Sequence, residues 1–251
     1  MAAEKAATAF GSRVYGLGIF ALALICLVWG NFNPGQAVPK DFPARTELAY
    51  IMAVFMLAAG IAIEWRKTAA WAAAPLTAYY AIVVVGLMGG HLALKYPGMY
   101  VVYSSTAEQL AIAAGALIVY ATHAGIDAAL AARLVRLGLI VFGICAILFG
   151  GAHFAYMNMT APLVPKWLPP NQIFWGYATG IFHIAGGIAI ITAIRARLAA
   201  ILLTVMYAIF TLALVPGLLA NPSFFAWSEI ATSVTLLGVA WIAADSLARK
   251  G

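Results

Sequence analysis

Eight apolar runs follow one another along the chain, each long enough to cross a ~30 Å hydrocarbon core as a helix. They cover Val14–Gly30, Glu47–Trp65, Ala69–Leu94, Thr106–Thr122, Leu134–Met157, Gln172–Ile194, Leu198–Leu219 and Ala226–Ala244. Polar and helix-breaking residues separate them: Asn31, Asn33 and Pro34 close the first run, and Arg66-Lys67 stop the second. Lys5 and Arg13 precede the first run, but no small-x-small cleavage site follows before Pro34, so it reads as a membrane helix and not as a signal peptide. The pattern predicts an all-α membrane protein with eight transmembrane helices.

Composition points the same way. Of 251 residues, 65% are hydrophobic and 9% charged, against roughly 25% charged in soluble domains. A water-soluble globule, a disordered chain and a nucleic-acid-binding module are all excluded. The two cysteines, Cys26 and Cys145, lie in mid-span and form no Cys-x-x-Cys pair, which leaves no disulfide framework.

The net charge of +6 has to be sorted by side of the membrane. One side collects Lys5, Arg13, Arg66, Lys67, Arg133, Arg136, Arg195, Arg197, Arg249 and Lys250; the other has only Lys40, Arg45, Lys95 and Lys166. Lys/Arg excess marks the cytoplasmic face, so both termini are expected inside, in the plasma (inner) membrane of a bacterium.

The second half repeats the first. Val38-Pro39-Lys40-Asp41-Phe42-Pro43 returns as Val164-Pro165-Lys166-Trp167-Leu168-Pro169, and Gly60-Ile61-Ala62-Ile63 as Gly187-Ile188-Ala189-Ile190. Thr77, Tyr80 and Tyr50 return as Thr204, Tyr207 and Tyr177. The common order predicts two four-helix repeats, residues 1–124 and 125–251. An even number of helices per unit makes the repeats parallel, related by an axis along the membrane normal.

Gly150-Gly151-Ala152-His153-Phe154, the Val164–Pro169 loop, Trp175, Gly180 and Gly187 resemble the DoxX-like membrane proteins over residues 134–247. The first half matches only through the internal repeat. The resemblance implies a four-helix unit and a setting in quinone-coupled or other membrane redox chemistry, with a redox partner subunit.

Candidate chemistry centres on the second half. His183 lies about eleven residues into its helix, on one face with Gly176, Thr179, Gly180 and Gly187. Small residues permit close helix packing, so this face and its histidine should point inward. Ionisable groups at such depth tend to mark function; the plainer reading is a neutral imidazole hydrogen-bonded to a neighbour. His153 shares a stripe with Gly143, Gly150 and Met157 and should stand about 10 Å above His183. Glu47, Glu108 and Glu229 all read as residues at helix N-termini, with Ser105-x-x-Glu108 as a capping box. Glu229 is the exception worth keeping, because it shares a unit with both histidines. His91 and His123 read as helix-end residues, and Glu64 as the partner of Arg66 and Lys67.

His153, Met157 and Met159 offer donors that suit Cu(I), although methionines in so apolar a chain are better explained by packing. Trp167, Trp175, Tyr156, Tyr177, Phe224, Phe225 and Trp227 form an aromatic belt. No Rossmann glycine pattern, haem-attachment motif or metalloprotease helix is present in the sequence. The expectation is one pocket, in the second unit, lined by His153, Tyr177, His183 and Glu229, with Gly180 and Gly187 making room for an apolar ligand such as a quinone. If the chain is catalytic, it is a quinone-linked oxidoreductase or a subunit of one; the alternative is a non-enzymatic lipid-binding or scaffold subunit of a membrane complex.

Overall fold

The computed structural model describes residues 2–248, with side chains from Phe10 onward. Among these residues it is all-helical. Eight helices are long and apolar enough to span a membrane, which makes this a multi-pass membrane protein. They are α1 (Ala2–Trp29), α2 (Arg45–Ile63), α3 (Ala69–Lys95), α4 (Tyr100–His123), α5 (Ala128–Ala155), α6 (Gln172–Thr192), α7 (Ala196–Ala220) and α8 (Phe224–Ala248). Outward-facing apolar side chains are abundant: Leu94, Trp71, Leu219 and Leu212 are 71–87% exposed. Lipid, not water, is the solvent these faces suit.

Two helix boundaries differ from the sequence reading in ways that matter. α5 begins at Ala128, where the Asp127 carboxylate accepts the Ala129 and Leu130 amides at 3.0 Å, an N-cap that a scan for apolar residues passes over. α4 begins at Tyr100 and not at Thr106. Ser105 and Glu108 therefore lie inside the helix, and Ser105 donates back to the Val101 carbonyl at 2.8 Å. There is no capping box here.

The helices form a ring in chain order, closed by α1 against α8, with α4 and α8 also meeting across the middle. These two central helices are the best covered among α4–α8, with 61% and 67% of their apolar windows buried, against 22% for α7. Each half borrows from the other: α1 packs on α8, and α5 on α4. The start of α1 lies beside the end of α8, with Phe10 against Trp241 at 4.9 Å, while Trp29 meets Phe224 at the opposite end. The start of α1 and the end of α8 thus lie at one end of the bundle, called here the terminal end; the long loops 30–44 and 156–171 cap the far end.

Those two loops make the same turn. The Phe42 amide donates to the Pro39 carbonyl at 3.2 Å, and the Leu168 amide to the Pro165 carbonyl at 3.1 Å. The first loop is braced by Arg45, which donates to Asn31 and to the Pro39 carbonyl and lies over the Phe32 ring. α3 is irregular. Pro75 removes one ladder donor, and Tyr79–Gly89 runs as a π-helix.

Candidate functional site

Glycine decides how α5 and α6 meet. A β-carbon on Gly150 would lie 2.6 Å from the Gly180 carbonyl oxygen, and one on Gly143 would lie 2.8 Å from that of Gly187. The two backbones are therefore in contact along this seam, as small residues allow. Gly176, Thr179, Gly180, His183 and Gly187 are all buried. The room that Gly180 and Gly187 make is taken by the neighbouring helix, so the expectation that these glycines open space for a ligand is corrected.

The same crossing brings the histidines together. The His153 and His183 rings stack with centroids 5.6 Å apart and planes at 27°, much closer than the 10 Å separation expected from counting inward from each helix end. The helix ends are not level. The β-carbon of His153 lies against Gly180, so Ala155, the last residue of α5, faces about position 178. α6 begins at Gln172, about six residues or ~9 Å farther out. Residues 156–163, including the short turn Met157–Thr160, fill the step. Counting inward as if the two ends were level therefore overestimated the gap.

His183 is 3% exposed. Around its ring stand His153, Phe149 at 6.0 Å, Tyr207 at 5.5 Å and Phe210 at 6.2 Å. Its Nδ1 lies 3.0 Å from the Thr179 carbonyl. A carbonyl only accepts, so Nδ1 carries the hydrogen and Nε2 of the neutral ring keeps a lone pair. Two polar atoms of this cluster are buried without a partner: His153 Nδ1 and the Tyr207 hydroxyl. Each such atom costs about 1–3 kcal/mol in lost solvation.

The corresponding place in the first half is chemically different. Gly16 and Gly60 cross as Gly143 and Gly187 do, and each second-half glycine stands 127 positions after its first-half counterpart. Counted from these crossings, His183 corresponds to Met56 and Tyr207 to Tyr80. His153 corresponds to Cys26. Here the Tyr80 hydroxyl and the Gln36 amide both donate to the Met56 sulfur, at 3.7 and 3.6 Å, and the buried atom left without a partner nearby is the Asn33 side-chain nitrogen in the loop beyond Cys26.

The other expected site residues lie apart from the pair. Tyr177 is 44% exposed and meets the Phe154 ring at a tilt, centroids 5.5 Å apart, on the outer surface of α5 and α6. Glu229 is exposed on α8, and its electrostatic neighbour is Glu108 of α4. Glu108 also acts on Tyr207 and on Tyr156. Tyr156 lies just past α5, where burial pushes its phenol up, a bond with Ser104 at 2.5 Å lowers it, and Glu108 raises it again. Glu64 has Arg13 of α1 as its electrostatic partner, in place of the expected Arg66 and Lys67.

A shallow cavity of about 360 Å³ opens at the terminal end, between Thr122, Gly125, Ala131 and Ser246. It is remote from the histidines. Among the described residues no set of three His, Cys, Asp or Glu side chains is arranged to hold a metal.

Reading by sequence missed Phe149, Phe210 and the part played by Tyr207, which left a trace only as the repeat of Tyr80, and took Glu108 for a capping residue. In comparison with known proteins, residues 142–243 are similar to a domain of unknown function, DUF8561; that stretch holds both histidines, Tyr177, Tyr207 and Glu229 but not Glu108. No curated protein and no solved structure matches the chain.

Proposed function

We propose that this is a DoxX-like protein of the bacterial inner membrane, built of two parallel four-helix repeats with both termini cytoplasmic. It binds an apolar ring compound of the quinone class at the His153–His183 pair and works in quinone-linked redox chemistry, with or without a redox partner subunit. One observation carries the reading. Of two corresponding clusters, the Cys26–Met56–Tyr80 cluster has its polar atoms paired, whereas the His153–His183–Tyr207 cluster leaves His153 Nδ1 and the Tyr207 hydroxyl without partners. Buried polar groups are ordinarily paired, and an unpaired set calls for a missing partner.

A quinone meets that need. Its carbonyl oxygens accept from the Tyr207 hydroxyl or from a protonated ring nitrogen, and the quinol form donates to the lone pair of a histidine nitrogen. Phe149 and Phe210 give the head group apolar walls. The ligand reaches the pair from the bilayer past Phe154 and Tyr177, which makes Tyr177 a gate residue at the surface. Parallel repeats are supported by the recurring glycine crossing and by the matching Pro39 and Pro165 turns.

The test is quinone analysis by mass spectrometry of protein purified in mild detergent, followed by binding of an added short-chain quinone. Wild type should retain or bind about one equivalent. His183→Ala should lose it, and Met56→Ala, which removes a buried side chain of similar size at the corresponding place, should keep it despite losing about 2–5 kcal/mol of stability. Equal loss of quinone in both variants, or lipid alone in every preparation, would refute the reading and favour a lipid-binding or scaffold subunit.

A further inference from the structure

The first half has a polar group of its own at the far end, apart from the histidine pair. Asn33, Gln36 and Gln109 bring three carboxamides together where the loop 30–44 meets α4, and they are only 5%, 1% and 2% exposed. Asn33 Oδ1 accepts the Gly35 amide at 2.9 Å. That bond fixes which end of the carboxamide is which, since an N–H needs an acceptor. The opposite atom, Nδ2, is therefore a donor, and it is buried without a partner. Such an atom ordinarily has one.

Gly35 sets a second carboxamide beside it. A β-carbon on Gly35 would lie 3.3 Å from Asn33 Oδ1 and 2.3 Å from Gln109 Nε2. Both side chains therefore rest against this one glycine, and a side chain there would push Gln109 aside. Yet Gln109 makes no hydrogen bond to Asn33, nor to any other described residue. Gln36, in the same turn, is committed to α2, where it donates to the Met56 sulfur at 3.6 Å.

Chemistry and enclosure together select the ligand. The unpaired atom is a donor, so its partner must accept, which excludes a cation. An anion would lack a counter-charge: Arg45 of the same loop is held by Asn31, the Pro39 carbonyl and the Phe32 ring, and an unpaired buried charge is costly. Burial this complete admits only a very small molecule. Water accepts from Asn33 Nδ2 and can turn to either end of the Gln109 carboxamide, which gives it the two polar partners that a buried water needs.

We propose that Asn33 and Gln109 form a binding site for one buried water molecule, which ties the 30–44 loop to α4. The loop after α5 reaches the same helix directly, through Tyr156 and Ser104 at 2.5 Å. α4 then anchors the caps of both halves, one by a direct bond and one through water, and a water bridge holds nearly as well as a direct bond.

The experiment uses the full chain in two ways. A high-resolution map of the wild type should show one water within about 2.7–3.2 Å of both Asn33 Nδ2 and the Gln109 carboxamide. Unfolding in mixed detergent micelles then compares Asn33→Ser, which keeps a short oxygen for the Gly35 amide and loses Nδ2, with Gln109→Leu, which keeps size and loses the carboxamide. Each should lower the folded-to-unfolded ratio about tenfold. Both together should lower it by clearly less than the product of the two, because either change alone already removes the bridge. Multiplicative losses in the double variant overturn the proposal. So does a wild-type map in which Gln109 bonds Asn33 directly or no water lies between them, a result that needs no variant to fold. Replacement of the peak by bromide, seen by its anomalous scattering, would show a halide in place of water and overturn it as well.

Discussion

Replacing Gly150 by alanine tests the idea that backbone contact between α5 and α6 sets the histidine geometry. The new β-carbon would lie 2.6 Å from the Gly180 carbonyl oxygen, 2.6 Å from Ile184 Cγ1 and 3.1 Å from His183 Cβ. Ordinary contact begins at 3.4 Å. The isoleucine can rotate away, but the carbonyl is part of a helix, so the helices must separate locally by about 0.8 Å, and packed interiors resist such movement. Overpacking of this kind costs about 1–3 kcal/mol. Alanine also gains up to ~1 kcal/mol over glycine in helix propensity, so the net loss is smaller than the clash alone. Gly217→Ala is the control: it lies inside α7 with nothing within 4 Å of the added carbon, and should be neutral or stabilising. The difference between the two variants isolates the packing cost, expected at about 1–3 kcal/mol. Unfolding in mixed detergent micelles, followed by tryptophan fluorescence, measures it. If Gly150→Ala proves as stable as Gly217→Ala, the seam is not in contact and the account of the histidine stack fails.

Glu64 gives a pH prediction. Burial raises its carboxyl above the ordinary 4.5, with Arg13 pulling it back. The folded chain then holds this proton more tightly than the unfolded one, so stability falls as pH rises from the ordinary carboxylate value through the raised one. Glu64→Gln should remove that part of the slope, seen as converging melting temperatures at low pH and a more stable variant at neutral pH; parallel curves between about pH 4 and 8 would contradict it. For topology, reporter fusions after Lys67, Arg136 and Arg197 should read cytoplasmic, and fusions after Lys40 and Lys166 external. A single external result among the first three would break the orientation.

The spans were legible because a helix that faces lipid must be apolar for about 20 residues, and that length stands out in any window. The start of α4 did not stand out. Tyr100, Tyr103, Ser104 and Ser105 look like loop, yet in the fold Tyr100 donates to the Leu148 carbonyl of α5 at 2.9 Å and Ser104 meets Tyr156 just past its end. Tertiary bonds, not local preference, extend the helix there. His183 could be placed on its buried face from glycine spacing alone. Its stacking on His153 could not, because that depends on how far one helix is slid along the other. Glu108 was taken for an ordinary residue at a helix start, since nothing local tells that α4 packs across the halves to stand near Tyr207.

The seating of α1 on α8 has a consequence for how the chain is made. Gly11 and Gly18 receive the backbone around Ile242 and Thr235, and Gly238 receives that of Tyr15. α1 thus waits for α8, seven spans later in the chain, before the neighbour it packs on most extensively exists. Until then Tyr15 can reach only the Ile112 carbonyl of α4, and the backbone of α1 around Gly11 and Gly18 faces lipid or whatever insertion factor shelters it. The seal is a late, long-range event of the kind that makes incomplete chains vulnerable to misassembly. A translation product stopped before α8 should carry all seven earlier spans and still be recognised as unfinished.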